Sequence, residues 1–169
     1  MTDIATPRWG KYRGTVINND DMRRRARLQV SVPELSGASV QVWAEPCLPY
    51  AGLGCGLVAL PPVGASVWIE YERGDINAPI WTGCYWPESG QVPSQVPPTL
   101  PFAAITLQVP NGGAIVLSED PQRGILLRTA DGAAITISSQ GITLDNGKGA
   151  VITVTGNSVD INKGALKVT

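Results

Sequence analysis

The C-terminal part of the chain repeats a pair of aliphatic residues separated by one residue, and this pattern constrains the fold more than any other feature. Eight pairs follow one another between residues 104 and 169, and their first members are seven or ten residues apart. Because successive side chains on a strand point to opposite faces, each pair places both aliphatic side chains on one face. The sixteen positions are Ile105, Leu107, Ile115, Leu117, Ile125, Leu127, Ile135, Ile137, Ile142, Leu144, Ile152, Val154, Val159, Ile161, Leu166 and Val168.

Polar residues and turn residues fill the rest of this repeat. The residue inside a pair is polar in six of the eight pairs, and Val116 and Leu126 are the exceptions. Asn-Gly, Asp-Gly and Lys-Gly steps lie between pairs, and their glycines supply the positive φ that tight turns need. The pattern therefore predicts eight short strands, each with one aliphatic and one polar face, stacked as a one-dimensional repeat.

A single copy of this repeat would leave its aliphatic face open to water. Three copies around a threefold axis would point these faces inward, as a triangular β-helix (a β-prism) formed by three intertwined chains. With eight strands at a spacing of ~4.7 Å, such a prism is about 40 Å long. The alternative is a monomeric β-solenoid, which needs a wider coil and larger interior residues. We expect the three-chain form, with the sixteen aliphatic residues as its trimer core.

The first half of the chain has larger side chains. All five Trp, all four Tyr and all three Cys lie in residues 1–88, whereas residues 89–169 contain one aromatic residue, Phe102. Alternating apolar residues over 26–32 and 65–72 predict strands, and further strands are expected at 10–17, 40–44 and 79–86. Five or six short strands without a helix signal are typical of a small closed barrel of the OB type.

These patterns predict an all-β chain in three parts. The parts are an OB-type barrel domain (residues 1–88), a Pro-rich and extended linker (89–103), and a β-helical repeat domain (104–169). The N-terminus has no apolar segment typical of a signal peptide, and no segment is long enough for a transmembrane helix. We therefore expect synthesis in the cytoplasm.

Composition excludes several kinds of chemistry. The chain has 13 Lys and Arg, 14 Asp and Glu, and no His, so no imidazole can act as a base, an acid or a metal ligand. No group of residues forms a catalytic constellation, and we predict no enzymatic activity, no metal site and no cofactor. Cys47, Cys55 and Cys84 lack the spacing of a zinc site, and buried free thiols are expected.

One charge cluster suggests an alternative function. Arg23, Arg24, Arg25 and Arg27 are typical of a phosphate-binding patch, which an OB barrel could combine with Trp side chains that stack on bases. A solvated turn or a surface of salt bridges explains the same arginines, since Asp20 and Asp21 lie beside them. At alternating strand positions, Trp residues are more often part of the core. The alternative is therefore an OB-fold nucleic-acid-binding protein with a β-repeat tail, whereas a balanced net charge favours no nucleic-acid partner.

Several motifs in residues 10–86 resemble one protein family. They are Gly14-Thr15-Val16, the segment from Arg25 to Pro33, Trp43, the run from Leu60 to Tyr71, Gly74-Asp75, Pro79 and Thr82-Gly83. They resemble the OB domain of baseplate assembly protein V, the central spike of contractile phage tails, which is related to the VgrG spike of type VI secretion. The repeat after the barrel is similar to the C-terminal needle of that family.

The resemblance implies a structural, homotrimeric spike that pierces the target cell envelope mechanically. It implies a component of a virion tail baseplate or of an injection particle, with tail hub or tube-initiator proteins above the barrel and only transient contact with the target membrane. Two features depart from the family: the linker is too short for an inserted lysozyme domain, and without His there is no His-x-His metal site at the needle tip. The tip, at Val168 and Thr169, is then either blunt or capped by a separate PAAR-type tip protein.

Overall fold

The computed structural model describes residues 6–36, 41–96 and 103–169 of the chain. The chain divides into two compact units, Met1–Gln91 and Val92–Thr169. Nearly all of the regular structure is β-strand, which confirms the predicted all-β class.

The first unit contains a closed barrel of five strands. Its strands are β1 (Tyr12–Asn18), β2 (Leu28–Ser31), β3 (Gln41–Pro46), β6 (Ser66–Tyr71) and β7 (Pro79–Cys84). Their order is β1-β2-β3-β7-β6, with β6 paired to β1; all neighbours are antiparallel except β3 and β7, which are parallel. The closed barrel agrees with the OB-type prediction.

The barrel core follows from the alternation in the sequence. Along β6, Val67, Ile69 and Tyr71 are buried, as predicted, and the residues between them are not. Leu28, Val30 and Val32 are likewise buried in the core, together with Trp81. Ala26 was expected to continue this inward face but lies before β2 with φ 59°, because the preceding loop adopts left-handed backbone there.

Short elements that the sequence did not predict connect the barrel strands. A single helical turn, α1 (Pro33–Ser36), follows β2, since proline is favoured at the first helical position, and Leu35 packs against the core. A small hairpin, β4 (Ala51–Gly52) with β5 (Cys55–Gly56), lies between β3 and β6. The expected start of the third strand, Val40, lies outside the described residues.

The second unit contains one sheet of eight strands, which is the number of aliphatic pairs in the sequence. Consecutive strands are neighbours throughout the sheet, and every pairing is antiparallel. The prediction of eight short strands is confirmed. They are β8 (Ala104–Gln108), β9 (Ala114–Ser118), β10 (Ile125–Arg128), β11 (Ala134–Ser138), β12 (Gly141–Asp145), β13 (Val151–Thr155), β14 (Ser158–Ile161) and β15 (Leu166–Val168).

The segment between the barrel and the repeat domain is not extended over residues 89–96, which the structure describes. Ser89–Gln91 forms a 3-10 turn, and the Val96 N–H donates to the Pro93 carbonyl oxygen at 3.0 Å. The expectation of an extended linker is wrong for residues 89–96, because proline also favours the first central positions of tight turns. Residues 97–102 lie outside the described residues.

Candidate functional site

The aliphatic residues of the repeat form two continuous ladders across the eight-stranded sheet. In the first ladder, Ile105 lies opposite Leu117, which lies opposite Ile125, and the pairing continues through every strand to Val168. In the second ladder, Leu107 lies opposite Ile115, and the pairing ends at Leu166. All sixteen predicted residues therefore share one face, because the register pairs aliphatic with aliphatic at every step.

This aliphatic face is uncovered within the chain. Of the sixteen side chains, thirteen are exposed by 37–65%, and the remaining three, Val154, Val159 and Ile161, are half-buried. A groove of about 740 Å³ follows the second ladder, where Ile115, Leu127 and other ladder members line it together with polar residues of the adjacent strand ends and turns, such as Arg128 and Asn146. An apolar face of this extent is typical of an interaction surface rather than of a solvated one.

The opposite face carries the residues that lie inside the aliphatic pairs. They form one central column in which Thr136 lies opposite Thr143, and Thr143 lies opposite Thr153. These threonines are half-buried, although they were expected to be the solvent side. The reason is geometric: a central column is flanked by neighbours on both sides, and Thr is shorter than Ile or Leu.

The two apolar exceptions in that column have a local explanation. Val116 is buried at 4% exposure, and Leu126 is half-buried beside it. Gln95 lines a depression of about 200 Å³ together with Val116 and Leu126, and the Gln95 N–H donates to Gln108 Oε1 at 3.1 Å. The segment before the sheet thus lies against this face where the inner residues are apolar.

Glycine is required at two places where strands approach one another. A Cβ at Gly124 would collide with the carbonyl oxygen of Ile137, and one at Gly141 would collide with the carbonyl oxygen of Val154. Both glycines have positive φ, of 53° and 126°. These residues keep the short connections tight enough for each aliphatic pair to face its neighbour.

The turns at one edge of the sheet are closed by side-chain caps. Asn146 Oδ1 accepts hydrogen bonds from the N–H groups of Lys148 and Ala150, at 2.9 and 3.0 Å. The Thr129 hydroxyl donates to the carboxylate of Asp131 and holds the pKa of Asp131 below its ordinary value. Such Asx-type caps fix turn geometry, and with it the register of the ladders.

The arginine cluster of the barrel is organised around one carboxylate. Asp21, only 9% exposed, accepts a hydrogen bond from Arg27 Nη2 at 2.6 Å and others from the N–H groups of Arg23 and Arg25. The Arg27 guanidinium, with these N–H groups, holds the pKa of Asp21 well below its usual range. Arg25 pairs with Glu45 at 3.0 Å. Two of the four arginines are thus engaged in ion pairs within the barrel.

Other contacts of this loop are also structural. The Arg27 guanidinium lies 5.1 Å from the centroid of the Trp43 ring. The Trp81 indole N–H donates to the Ala26 carbonyl oxygen at 3.0 Å. The loop over 21–27 is therefore built onto the barrel, and within the described residues no ion pair involves Arg23 or Arg24.

The Trp residues do not all belong to the core. Trp81 is buried, but Trp9 and Trp86 are 69% and 59% exposed. Trp68 lies on the outer side of β6, with its ring centroid 4.5 Å from that of Tyr85, and Arg13 stacks over both rings at 5.8 and 5.4 Å. The Trp68 and Tyr85 rings already face each other and a guanidinium, which leaves little open ring surface for a stacked base.

The expectation of buried thiols is wrong. Cys47, Cys55 and Cys84 are all free and exposed. Cys55 lies in the β4–β5 hairpin, where Tyr50 donates its hydroxyl to Cys55 Sγ at 3.2 Å, and Cys84 ends β7. These positions are at strand ends and in a projecting loop, where the average preference of Cys for burial does not apply.

No metal site or membrane helix is found in the residues that the structure describes. Across residues 6–36, 41–96 and 103–169, no three Cys, Asp or Glu side chains are grouped as ligands of an ion. The chain has no His, so the residues at hand do not fit the His-x-His metal site that the family resemblance would imply. No helix in the same ranges has the length and apolar character needed to cross a bilayer.

Comparison with known proteins assigns both halves of the chain to described domains. Residues 12–86 match the type VI secretion system/phage-baseplate injector OB domain, and residues 104–167 match the phage baseplate V C-terminal trimerisation domain. A search of curated proteins gave no match. The two matches together support the phage-baseplate and type VI secretion spike family, a structural role in a baseplate or injection particle, and a homotrimer.

Proposed function

We propose that three copies of this chain form the central spike of a contractile tail or tail-like injector. The premise is that the chain carries both domains of the baseplate and injector spike family. The spike would pierce the target cell envelope mechanically when the tail contracts, and it would resemble the VgrG spike in its role. The single observation that carries this proposal is the uncovered aliphatic face of the repeat domain, which spans all eight strands.

The aliphatic face favours a trimer core over a surface for a small ligand. Its two ladders contain no charged or polar side chain among their sixteen members, and polar residues such as Arg128 and Asp145 line the groove only beside the ladder, so the ladders themselves offer no group to orient a polar ligand. Three such sheets, facing a common axis, would bury all three faces at once. The matched trimerisation domain supports this arrangement, and the sixteen ladder residues are the proposed core.

The backbone hydrogen bonds of the repeat domain also support a mechanical role. Every strand of the repeat domain is paired within its own chain, so backbone hydrogen bonds connect the strands in sequence from β8 to β15. The proposed contacts between the ladders of different chains are then apolar side-chain contacts, and only β8 and β15 have an edge that is unpaired within the chain. Such a needle needs no catalytic group, and we propose that the protein is not an enzyme and uses no cofactor.

The partners follow from the two ends of the proposed spike. Tail hub or tube-initiator proteins would bind above the barrels, and the target membrane would be met only during contraction. The needle tip would lie at Val168 and Thr169. Because the chain has no His, no metal held by His would close the tip, which would be blunt or capped by a PAAR-type protein. The linker, residues 89–103, would join the barrel domain (1–88) to the repeat domain (104–169).

Light scattering on the purified chain tests the assembly. One chain has a mass of 17.8 kDa, and the proposal requires a particle of three times that mass, whereas a monomer would overturn it. Electron microscopy of the parent particles, with a gold-labelled antibody against this chain, tests the location. Label at the distal end of the tail is expected, and label along the sheath or on the capsid would contradict the proposed role.

A further inference from the structure

A second uncovered apolar surface lies on the barrel, apart from the aliphatic ladders. The segment over 46–65, here called the uncharged loop, contains no Asp, Glu, Lys or Arg. Six of its large apolar side chains are exposed by 44–106%. They are Tyr50, Leu53, Leu57, Val58, Leu60 and Val63.

Both ends of the uncharged loop are fixed to the barrel. Its first end is fixed by the Cys47 N–H, which donates to the Trp81 carbonyl oxygen at 3.0 Å, and by Leu48, which packs against the core. Its second end is fixed by Asn19 Nδ2, which donates to the Pro61 carbonyl oxygen at 2.9 Å. The surface is therefore held in place before anything covers it, which lowers the entropic cost of binding.

Between these ends, the β4–β5 hairpin projects an apolar tip. Gly52 pairs with Cys55, and the Leu57 N–H donates to the Tyr50 carbonyl oxygen at 2.9 Å. The turn leaves Leu53 fully exposed at the tip, at 106%. Within residues 6–36, 41–96 and 103–169, no side chain covers this leucine, which leaves its apolar surface available to a second molecule.

We propose that the uncharged loop of one chain packs against the barrel of a neighbouring chain in the same trimer. This inference rests on the proposed trimer, and it adds a second interface to the one between the repeat domains. The partner surface needs no charge complementary to the loop, since the loop has none. A contact from each chain to the next around a threefold axis closes after three steps, so it does not lead to open polymers.

The connection between the two domains favours a neighbouring chain as the occupant. The matched ranges are separated by residues 87–103 only, a segment that spans at most about 60 Å when fully extended. Three barrels tethered this closely to one trimerisation domain meet at an effective concentration in the millimolar range. At this effective concentration, an exposed apolar hairpin on each barrel would contact a neighbouring barrel more often than a separate protein.

The first test replaces Leu53 in the full-length chain. Leu53→Ser should leave the trimer intact by light scattering, but it should lower the melting temperature of the barrel by about 5–10 °C. Trp fluorescence reports the barrel selectively, because all five Trp lie in residues 1–88. Met22→Ser is the matched control, since Met22 is 94% exposed outside the loop, and it should change the melting temperature little. Equal, negligible shifts for both variants would overturn the proposal.

The second test uses the natural thiol in the hairpin. A chain with Cys47→Ser and Cys84→Ser keeps Cys55 as its one thiol, and its reaction with dithionitrobenzoate can be timed. We expect Cys55 to react at least tenfold more slowly in the trimer than in a monomeric Ile135→Asp chain. Equal rates in a confirmed trimer would refute this interface and leave the proposed function standing. A monomeric wild-type chain would refute both.

Other occupants of the loop give distinct results in the same assay. Vesicles of phosphatidylethanolamine and phosphatidylglycerol are added to the trimer. Protection of Cys55 that appears only with vesicles would assign the loop to a lipid surface and overturn the proposal. Protection in the trimer before any addition, with no further change on adding vesicles, is the expected result.

Discussion

Ile135→Asp is expected to dissociate the trimer while leaving the barrel folded. Ile135 lies at the middle of the second ladder, opposite Leu127 and Leu144, and is 40% exposed within its own chain. Full burial of an Ile side chain is worth about 1.5–3 kcal/mol, so covering the exposed fraction contributes about 1 kcal/mol per chain and about 3 kcal/mol per trimer. The substitution also brings three carboxylates together near the axis, and each costs several kcal/mol to remove from water without a partner.

The cost of this substitution arises only on assembly, because the position is solvent-exposed in a single chain. Light scattering should therefore show a particle of one chain mass, and Trp fluorescence should still show a cooperative melting transition of the barrel. Thr143→Asp is the matched control: Thr143 lies one strand away on the opposite face, between Thr136 and Thr153. It should remain trimeric. If the Ile135→Asp chain forms a normal trimer, the aliphatic face does not point to the axis and the reasoning is wrong.

Two further substitutions test how the domains are built. Asp21→Asn should lower the melting temperature of the barrel above about pH 5. In the wild type, the pKa of Asp21 is lowered and its ionised carboxylate binds Arg27, whereas the variant has no carboxylate at this position. The difference from the wild type should shrink as the pH falls below about 4, where the unfolded-state carboxylate takes up its proton and the wild-type advantage is lost; a difference independent of pH from 7 to 2 would contradict this. Gly141→Ala should disrupt the repeat domain, because its Cβ would collide with the Val154 carbonyl oxygen, whereas Gly156→Ala, with open space around it, should cost only about 1–2 kcal/mol of backbone strain. Thermal melting monitored by circular dichroism compares the two, and equal losses would show that the collision is relieved.

The strands of the repeat domain were predictable because their signal is local. Each aliphatic pair and its flanking glycine specify one short strand and one tight turn, and neighbouring strands are also neighbours in sequence. Register follows from the same pattern, since a slip of one residue along β12 would place Ile135 opposite Thr143 or Asp145 instead of Leu144. The apolar residues Val116 and Leu126 broke the pattern for a reason that periodicity could not show. The segment containing Gln95, which is distant in sequence from both, lies against that face.

The barrel shows where prediction from residue types stops. Strand parity placed Val67, Ile69 and Tyr71 inside, and the same parity places Trp68 outside, which the general preference of Trp for the core obscured. The role of Asp21 could not be read from the sequence. It depends on left-handed backbone in the loop, with φ of 52° at Arg24, and on N–H groups that converge only after the loop has folded.

The burial of the three cysteines was wrongly predicted for a related reason. Burial of Cys is an average over proteins, and it carries no information about a particular loop. Cys55 is flanked by Gly54 and Gly56 in a stretch with no charged residue, which is the composition of a tight projecting turn rather than of a core strand. That local signal was present in the sequence and favours exposure.

The two domains differ in what holds them together, and this difference explains how such a spike could assemble. The barrel buries a core of its own, with Val16, Leu28, Val30 and Ile69 at 0% exposure. In the repeat domain, every strand pairs with a neighbour in the same chain and β8 and β15 form the two edges, but none of the ladder side chains is buried. In the proposed trimer, the ladders would gain a core only on association, as in oligomers whose stability is inseparable from association. A barrel that folds alone and a sheet that is stabilised only on trimerisation would restrict needle formation to chains that have already met.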